Sequence, residues 1–278
     1  MERADWAPKA AAGFVSRPGA QLYYEVFGTG PALVFLHGLG GNHLSWWRQV
    51  TAFAPFHRVV TYATRGFAPS RADSLPPDPA AFAGDLEALV DHLGIERCAL
   101  VAQSMGGWAA VEFALANPAR VAALVLAATS GTFDPRALDP AAFDAWAARA
   151  AEAREGLRAD GIHPAAGRRL AESDPALHHL YKSIDALAAS GGLDKEALRA
   201  RLKRARDPAD AAKLACPVLV AMGEDDVVFP SFLAPKLAAK MRAAREIEFP
   251  RAGHSAYFER ADEFNDAVAS FLHESGWR

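Results

Sequence analysis

Ser104 sits in Val101-Ala102-Gln103-Ser104-Met105-Gly106-Gly107-Trp108, where an apolar run gives way to a stretch of helical character and small residues flank the serine. At such a junction the chain makes a sharp, strained turn that lifts the hydroxyl above a sheet and sets nearby amides at a helix N-terminus. That is the geometry of a nucleophile, although these few residues alone fit a plain glycine-rich connection equally well. A serine hydroxyl attacks a carbonyl carbon only if a base accepts its proton, and a histidine supported by a carboxylate is one such base. Late in the chain are His254, in Pro250-Arg251-Ala252-Gly253-His254-Ser255, and three consecutive acids, Glu224, Asp225 and Asp226. Each group follows a strand-like run, and chemistry alone does not choose among the acids. A tetrahedral oxyanion also needs inward-facing amides. His37-Gly38-Leu39-Gly40-Gly41, directly after another such run, can supply them, with His37 better suited to holding the loop than to proton transfer.

These residues can meet only if the strands that carry them end together. Ala32–Leu36, Cys98–Ala102, Val121–Ala127 and Cys216–Met222 are short, continuous apolar runs, the pattern of strands covered on both faces. Gln21–Val26 reads as an outer strand, Arg58–Tyr62 as another strand, and Arg245–Phe249, alternating in polarity, as a sheet edge. Residues 1 to about 19 lack periodicity and read as a leader. Helical stretches lie between the strands, for example Pro79–Leu93, closed by Gly94. Strand and helix in alternation imply an α/β fold with a mostly parallel twisted sheet flanked by helices. From Gly131 to Asp210 the strands vanish. Alanine-rich helical segments replace them, broken near Asp139-Pro140, Gly161, Pro164, Pro175 and Gly191-Gly192. The expected organisation is a core domain, residues 1–130 and 211–278, with a helical cap, residues 131–210. The basic run Arg199–Arg206 reads as a solvated helix face.

The bulk composition narrows the classes. In 278 residues, 51% hydrophobic and 23% charged content is ordinary for a globular chain with a sizeable core. A net charge of −3 gives no reason to expect nucleic acid or an anionic membrane as a partner. The two cysteines, Cys98 and Cys216, fall in or beside strands and read as reduced core residues. With no secretory pattern and no apolar stretch long enough to span a bilayer, a cytoplasmic protein acting on a small-molecule substrate is expected. No cofactor or metal is called for. Oligomeric state stays open, a homodimer included.

Taken together, these segments resemble those of the α/β-hydrolase family. Ala102-Gln103-Ser104-Met105-Gly106 matches its G-x-S-x-G elbow with alanine in place of the first glycine, and His37-Gly38-Leu39-Gly40 matches its H-G-x-G loop. Ala63 to Ser70 resembles the family's D-x-R-G-x-G-x-S pattern, with Ala63 and Ala68 replacing the aspartate and the second glycine. Loss of that aspartate implies a loop less tightly held. The family's G-x-x-D-x-x-x-P spacing selects Asp226, and His254 matches its catalytic histidine. The resemblance thus implies an α/β-hydrolase fold with the cap inserted after the sixth strand. It implies a triad of Ser104, Asp226 and His254, and oxyanion donors at the backbone N–H groups of Leu39 and Met105. The expected substrate pocket draws on His37, Gly38, Trp47, Trp108, Phe133, Trp146 and Val228.

The activity implied is hydrolysis of a small carboxylic ester or lactone through an acyl-enzyme, since the Ser104 and His37 segments look like those of enol-lactonases and esterases. The main alternative is a carbon–carbon bond hydrolase of a ring-fission product, which would want a cap arginine, Arg154, Arg158 or Arg168, on the substrate carboxylate. A slow or ligand-sensing relative and a cofactor-free lyase or oxygenase are further alternatives. Epoxide hydrolases and haloalkane dehalogenases on this layout need a carboxylate nucleophile where this chain has Ser104.

Overall fold

The computed structural model describes residues 11–203 and 205–278. Residues 1–10 of the expected leader, and position 204 within the basic run, lie outside the described residues. Among the described residues, nine strands form one sheet. Its main path runs β1 (Ala11–Arg17), β2 (Ala20–Phe27), β4 (Arg58–Tyr62), β3 (Ala32–Leu36), β6 (Cys98–Gln103), β7 (Val121–Ala127), β8 (Val218–Gly223) and β9 (Ala244–Phe249). The two-residue β5 (Arg71–Ala72) pairs with β2 off this path. From β4 across to β9 every pairing is parallel; β1 with β2 and β2 with β4 are antiparallel.

The uninterrupted apolar character of β3, β6, β7 and β8 follows from their position: every residue in them is buried. One face is covered by α2 (Phe82–His92), α3 (Gly106–Ala116) and α8 (Ala234–Ala238). The other is covered by α1 (Trp47–Phe53), the short α9 (Ala256–Glu259) and α10 (Ala261–Glu274). Both cysteines are free and buried, and burial pushes the Cys98 thiol up to about 12 and the Cys216 thiol to about 11. At the β1 edge the structure corrects the sequence reading. Residues 11–17 are not leader but a full strand, turned back onto β2 through Pro18-Gly19, where Gly19 has φ 70°. Only Val15 of β1 is buried, so the strand shows no hydrophobic alternation. No helix among the described residues is long and apolar enough to cross a membrane.

Between β7, sixth along the chain among the strands of the main path, and β8 lie α4 (Pro140–Ala159), α5 (Gly167–Ser173), α6 (Pro175–Ala188) and α7 (Lys195–Arg201). Asp139, Asp174 and Asp194 accept N-terminal amides of α4, α6 and α7, and proline at the first turn of α4 and α6 removes a donor that would lack a partner. The two ends of this helical insertion meet. Asp134 N–H donates to the Arg206 carbonyl at 2.9 Å, and Arg206 N–H donates to the Thr132 carbonyl at 3.1 Å. The Arg206 guanidinium forks onto Glu112 of α3 at 2.6 and 2.5 Å, and Trp108 Nε1 donates to the Lys203 carbonyl at 3.2 Å. The hydrogen bonds from Arg206 hold the Glu112 carboxyl below its usual range against the cost of burial. Arg206 is therefore a joint of the insertion, not part of a solvated face.

The seat of α3 on the sheet depends on a missing side chain. A Cβ at Gly106 would stand 2.4 Å from the Leu36 carbonyl oxygen, with backbone on both sides of the contact. Gly106→Ala is expected to cost about 1–3 kcal/mol, seen as a lower urea midpoint with unchanged slope. An unchanged midpoint would contradict this account of the helix–strand contact.

Candidate active site

Ser104 follows β6 and precedes α3, and its backbone lies in the left-handed region, φ 49°. For a residue with a side chain this conformation costs roughly 1–3 kcal/mol and persists only where the surroundings enforce it. Here its N–H donates to Ala127 at the end of β7 (2.9 Å), and its carbonyl accepts the Gly107 N–H (3.0 Å). Ala102 lies fully buried in β6, in register with Leu36 and Leu126, so the strand accommodates a methyl where the resembling motif has glycine.

The loop after β3 lies directly against this turn. A Cβ on Gly38 would meet Gln103 Oε1 at 2.0 Å and Ser104 Cβ at 3.2 Å, so a side chain there would have to displace the Gln103 amide. His37 is buried with both ring nitrogens engaged: Nδ1–H donates to the Gly38 carbonyl at 2.7 Å and Nε2 accepts the Thr64 N–H at 2.9 Å. Burial holds this imidazole neutral, its pKa pushed down to about 4. Among the described residues, the N–H groups of Leu39 and Met105 have no protein acceptor.

The loop that begins at Ala63 is held by other contacts. The Ser70 hydroxyl donates to the Ala63 carbonyl (2.7 Å) and accepts the Tyr23 N–H (2.7 Å). Asn42 Nδ2 donates to the Ala68 carbonyl (3.0 Å), and Arg65 forks onto the buried carboxylate of Asp85. The loop is thus anchored by a side chain seven residues away and by a neighbouring helix.

Asp226 and His254 come from the carboxyl ends of β8 and β9, the same sheet edge as Ser104. Of the three adjacent acids, Glu224 and Asp225 are exposed and Asp226 is 4% exposed. Its Oδ1 accepts the N–H groups of Val228 (2.7 Å) and Phe229 (2.8 Å). Its Oδ2 lies 2.7 Å from His254 Nδ1. A carboxylate only accepts, so Nδ1 carries the proton and the lone pair of the neutral ring is on Nε2. Gln103, beside the serine, donates to the His254 carbonyl at 3.2 Å, tying the loop that carries His254 to the turn. Tyr181 of α6 shares a buried hydrogen bond with Ser255 at 2.9 Å, so the helical insertion reaches the same loop. Glu259 completes the surroundings: burial pushes its carboxyl up to about 7, against the opposing pull of Arg169 and the Gly253 N–H.

The expected pocket residues scatter. His37 and Gly38 are packed inside the loop; Phe133 is fully buried at the root of the insertion, and Trp108 is buried beside it. Trp47 is 42% exposed and carries Arg48 over its ring. Trp146, against Phe143, and Val228 are half-buried. A cavity of about 390 Å³ lies behind the acid–base loops, lined by Leu157, Arg168, Asp225, Val227, Arg251 and Gly253 among others and by none of the expected pocket residues. Of the cap arginines, Arg154 donates to the Val227 carbonyl, Arg168 pairs with Asp160 and Glu172, and Arg158 is exposed. Among the described residues, no group of three His, Cys, Asp or Glu side chains gathers as metal ligands would.

Residues 31–261 match the family model described as alpha/beta hydrolase fold. The chain is 30% identical over 251 residues to RutD of Klebsiella pneumoniae, provisionally named a carbamate hydrolase, covering 87% of this chain and 92% of that one. It is 31% identical, over 91% of this chain and 90% of the other, to a 2-hydroxy-6-oxononadienedioate/2-hydroxy-6-oxononatrienedioate hydrolase of Paraburkholderia xenovorans. The crystal structure of the enol-lactonase from Burkholderia xenovorans superposes with TM-score 0.75 at 27% identity, covering 94% of this chain and all (100%) of that one.

The neutral His37 gives a pH prediction. Its folded pKa, about 4, is below the ordinary 6.5, so between those values the unfolded chain binds the extra proton. The stability His37 contributes is complete above the upper value and is lost as pH falls through the lower one. In an NMR titration the His37 ring should stay neutral until pH approaches 4; a midpoint near 6.5 would contradict the burial argument.

Proposed function

Because the chain belongs to the alpha/beta hydrolase fold family, we propose that it is a serine hydrolase that cleaves a small carboxylic ester or lactone through an acyl-enzyme on Ser104. One observation carries this reading: a serine held at φ 49° at the same sheet edge as a buried Asp226–His254 pair joined at 2.7 Å. Ser104 Oγ attacks the carbonyl carbon while His254 Nε2 takes its proton. The amides of Leu39 and Met105 receive the oxyanion. His254 then returns the proton to the departing alkoxide, and the carbonyl re-forms as the acyl-enzyme. A water, relieved of its proton by the same nitrogen, attacks the acyl carbon and frees Ser104. Asp226 keeps the proton on Nδ1 and stabilises the imidazolium, its second oxygen anchored by two backbone amides so that it does not turn away.

The relatives' names cover a carbamate, a carbon–carbon bond and an enol-lactone, and each such bond is broken by attack at a carbonyl carbon. The ester or lactone reading is preferred here over the carbon–carbon one because two of the three cap arginines are paired with other groups and the third, Arg158, is exposed. Arg154 is committed to a backbone carbonyl next to Asp226, and Arg168 to two carboxylates at the surface.

With p-nitrophenyl acetate, Ser104→Ala is expected to lose about 10³-fold or more in kcat, and Asp226→Asn about 10²–10⁴-fold. Equal turnover by wild type and Ser104→Ala would refute the nucleophile. In a panel of esters, lactones, an aryl carbamate and a vinylogous diketone, kcat/KM should be highest on an ester or a lactone. A preference for the diketone would replace the substrate class and leave the nucleophile standing.

A further inference from the structure

One carboxylate beside the proposed base has no part in the chemistry above. The Glu259 side chain, at the end of α9, is 0% exposed. Its Oε1 accepts the N–H of Gly253, the residue immediately before His254, at 2.9 Å. Its Oε2 faces Arg169 of α5 at 3.4 Å. The same guanidinium donates to the backbone carbonyls of Arg251 (3.0 Å) and Glu259 (3.2 Å). The packing is close: a Cβ on Gly253 would stand 3.0 Å from Glu259 Oε1 and 3.5 Å from the Cα of Gly167, where α5 begins.

Burying a carboxylate is costly unless it is paired and hydrogen-bonded. A single contact at 3.4 Å is a poor ion pair, so electrostatic gain does not account for Glu259. What it holds is a peptide group. The Gly253 N–H on one side of His254 is bound by Glu259, and the His254 carbonyl on the other side is bound by Gln103. Between these two anchors the backbone of the histidine has little freedom, and the ring's aim is fixed by Asp226 from one end only.

We propose that Glu259 and Arg169 are positioning residues: Glu259 fixes the Ala252–Gly253 peptide that leads into His254, and Arg169, through the Arg251 and Glu259 carbonyls, ties that loop to α5, so the base is aligned by the helical insertion as well as by the sheet. This rests on the hydrolase reading. A small displacement of a reacting group costs far more rate than binding.

The test compares Glu259→Ala, Glu259→Gln and Arg169→Met with wild type by ester kinetics, by the rate of labelling with a fluorophosphonate, and by the downfield His254 Nδ1–H resonance in proton NMR. Glu259→Ala should lower kcat and labelling about 10–100-fold with KM within about twofold, and should move the resonance. Glu259→Gln retains an acceptor for the Gly253 N–H and should recover most of the rate; Arg169→Met should fall between. Wild-type kcat with an unmoved resonance in Glu259→Ala overturns the proposal, as does a loss that glutamine does not recover. If Glu259→Ala does not fold, Arg169→Met decides, and wild-type kcat there overturns it. A wild type that neither turns over the ester nor takes the probe refutes the hydrolase reading instead; the resonance shift still decides the positioning role.

Discussion

A serine backbone held at φ 49° is a strained arrangement, costing roughly 1–3 kcal/mol, and the contacts around it must offset that cost. They do so from several directions. β7 takes the Ser104 N–H, α3 begins at once and takes the Ser104 carbonyl, and Gly106 lets that helix rest on the backbone of β3. The strain is maintained because each contact belongs to a sheet whose central strands are buried on both faces and cannot shift without opening the core. The placement of the half-buried Ser104 is a consequence of packing.

The same sheet explains why the other groups arrive together. Parallel strands place their carboxyl ends on one edge, so the segments after β3, β6, β8 and β9 must converge there. Convergence is then tightened by glycines that allow backbone to touch. Gly38 lies on Gln103 and Ser104, and Gly223 lies so near the Ala252–Gly253 peptides that a Cβ would stand 2.1 Å from the Gly253 oxygen. Polar ties lock what the glycines admit: His37 to Thr64, Asn42 to Ala68, Gln103 to His254 and Glu259 to Gly253. Two of these ties join the loop after β3 to the loop after β4, one joins the end of β6 to the loop after β9, and the last braces that loop against α9.

Much of this was legible in the sequence, and the exceptions have physical causes. The central strands announced themselves because burial on both faces demands continuous apolar runs. The breaks in the helical insertion were legible because Asp-Pro and Gly-Gly are end signals that act locally. β1 was not, because a sheet-edge strand with one buried residue carries no alternation. Asp226 was distinguishable from Glu224 and Asp225 only by resemblance to a spacing; in the structure, burial and the bond to His254 distinguish it. The contacts that hold the loop beginning at Ala63 were not legible, because they come from Ser70, Asn42 and Asp85 and no local pattern encodes such partners. Glu259 and Arg169 went unnoticed because the partners are backbone groups, one six residues before Glu259 and one 82 residues beyond Arg169, and no side-chain pattern marks either. Trp108 and Phe133 are buried at the root of the insertion, a packing role that residue type alone does not distinguish from a pocket lining.

The central claim is that bond cleavage passes through a covalent acyl group on the strained serine. It is tested most directly by acid quench during single turnover of an ester with a stable acyl group, followed by peptide mass analysis. The account predicts a transient acyl mass on the peptide carrying Ser104, formed before free acid is released. Complete turnover with no covalent species, or with the acyl group on another residue, would contradict it.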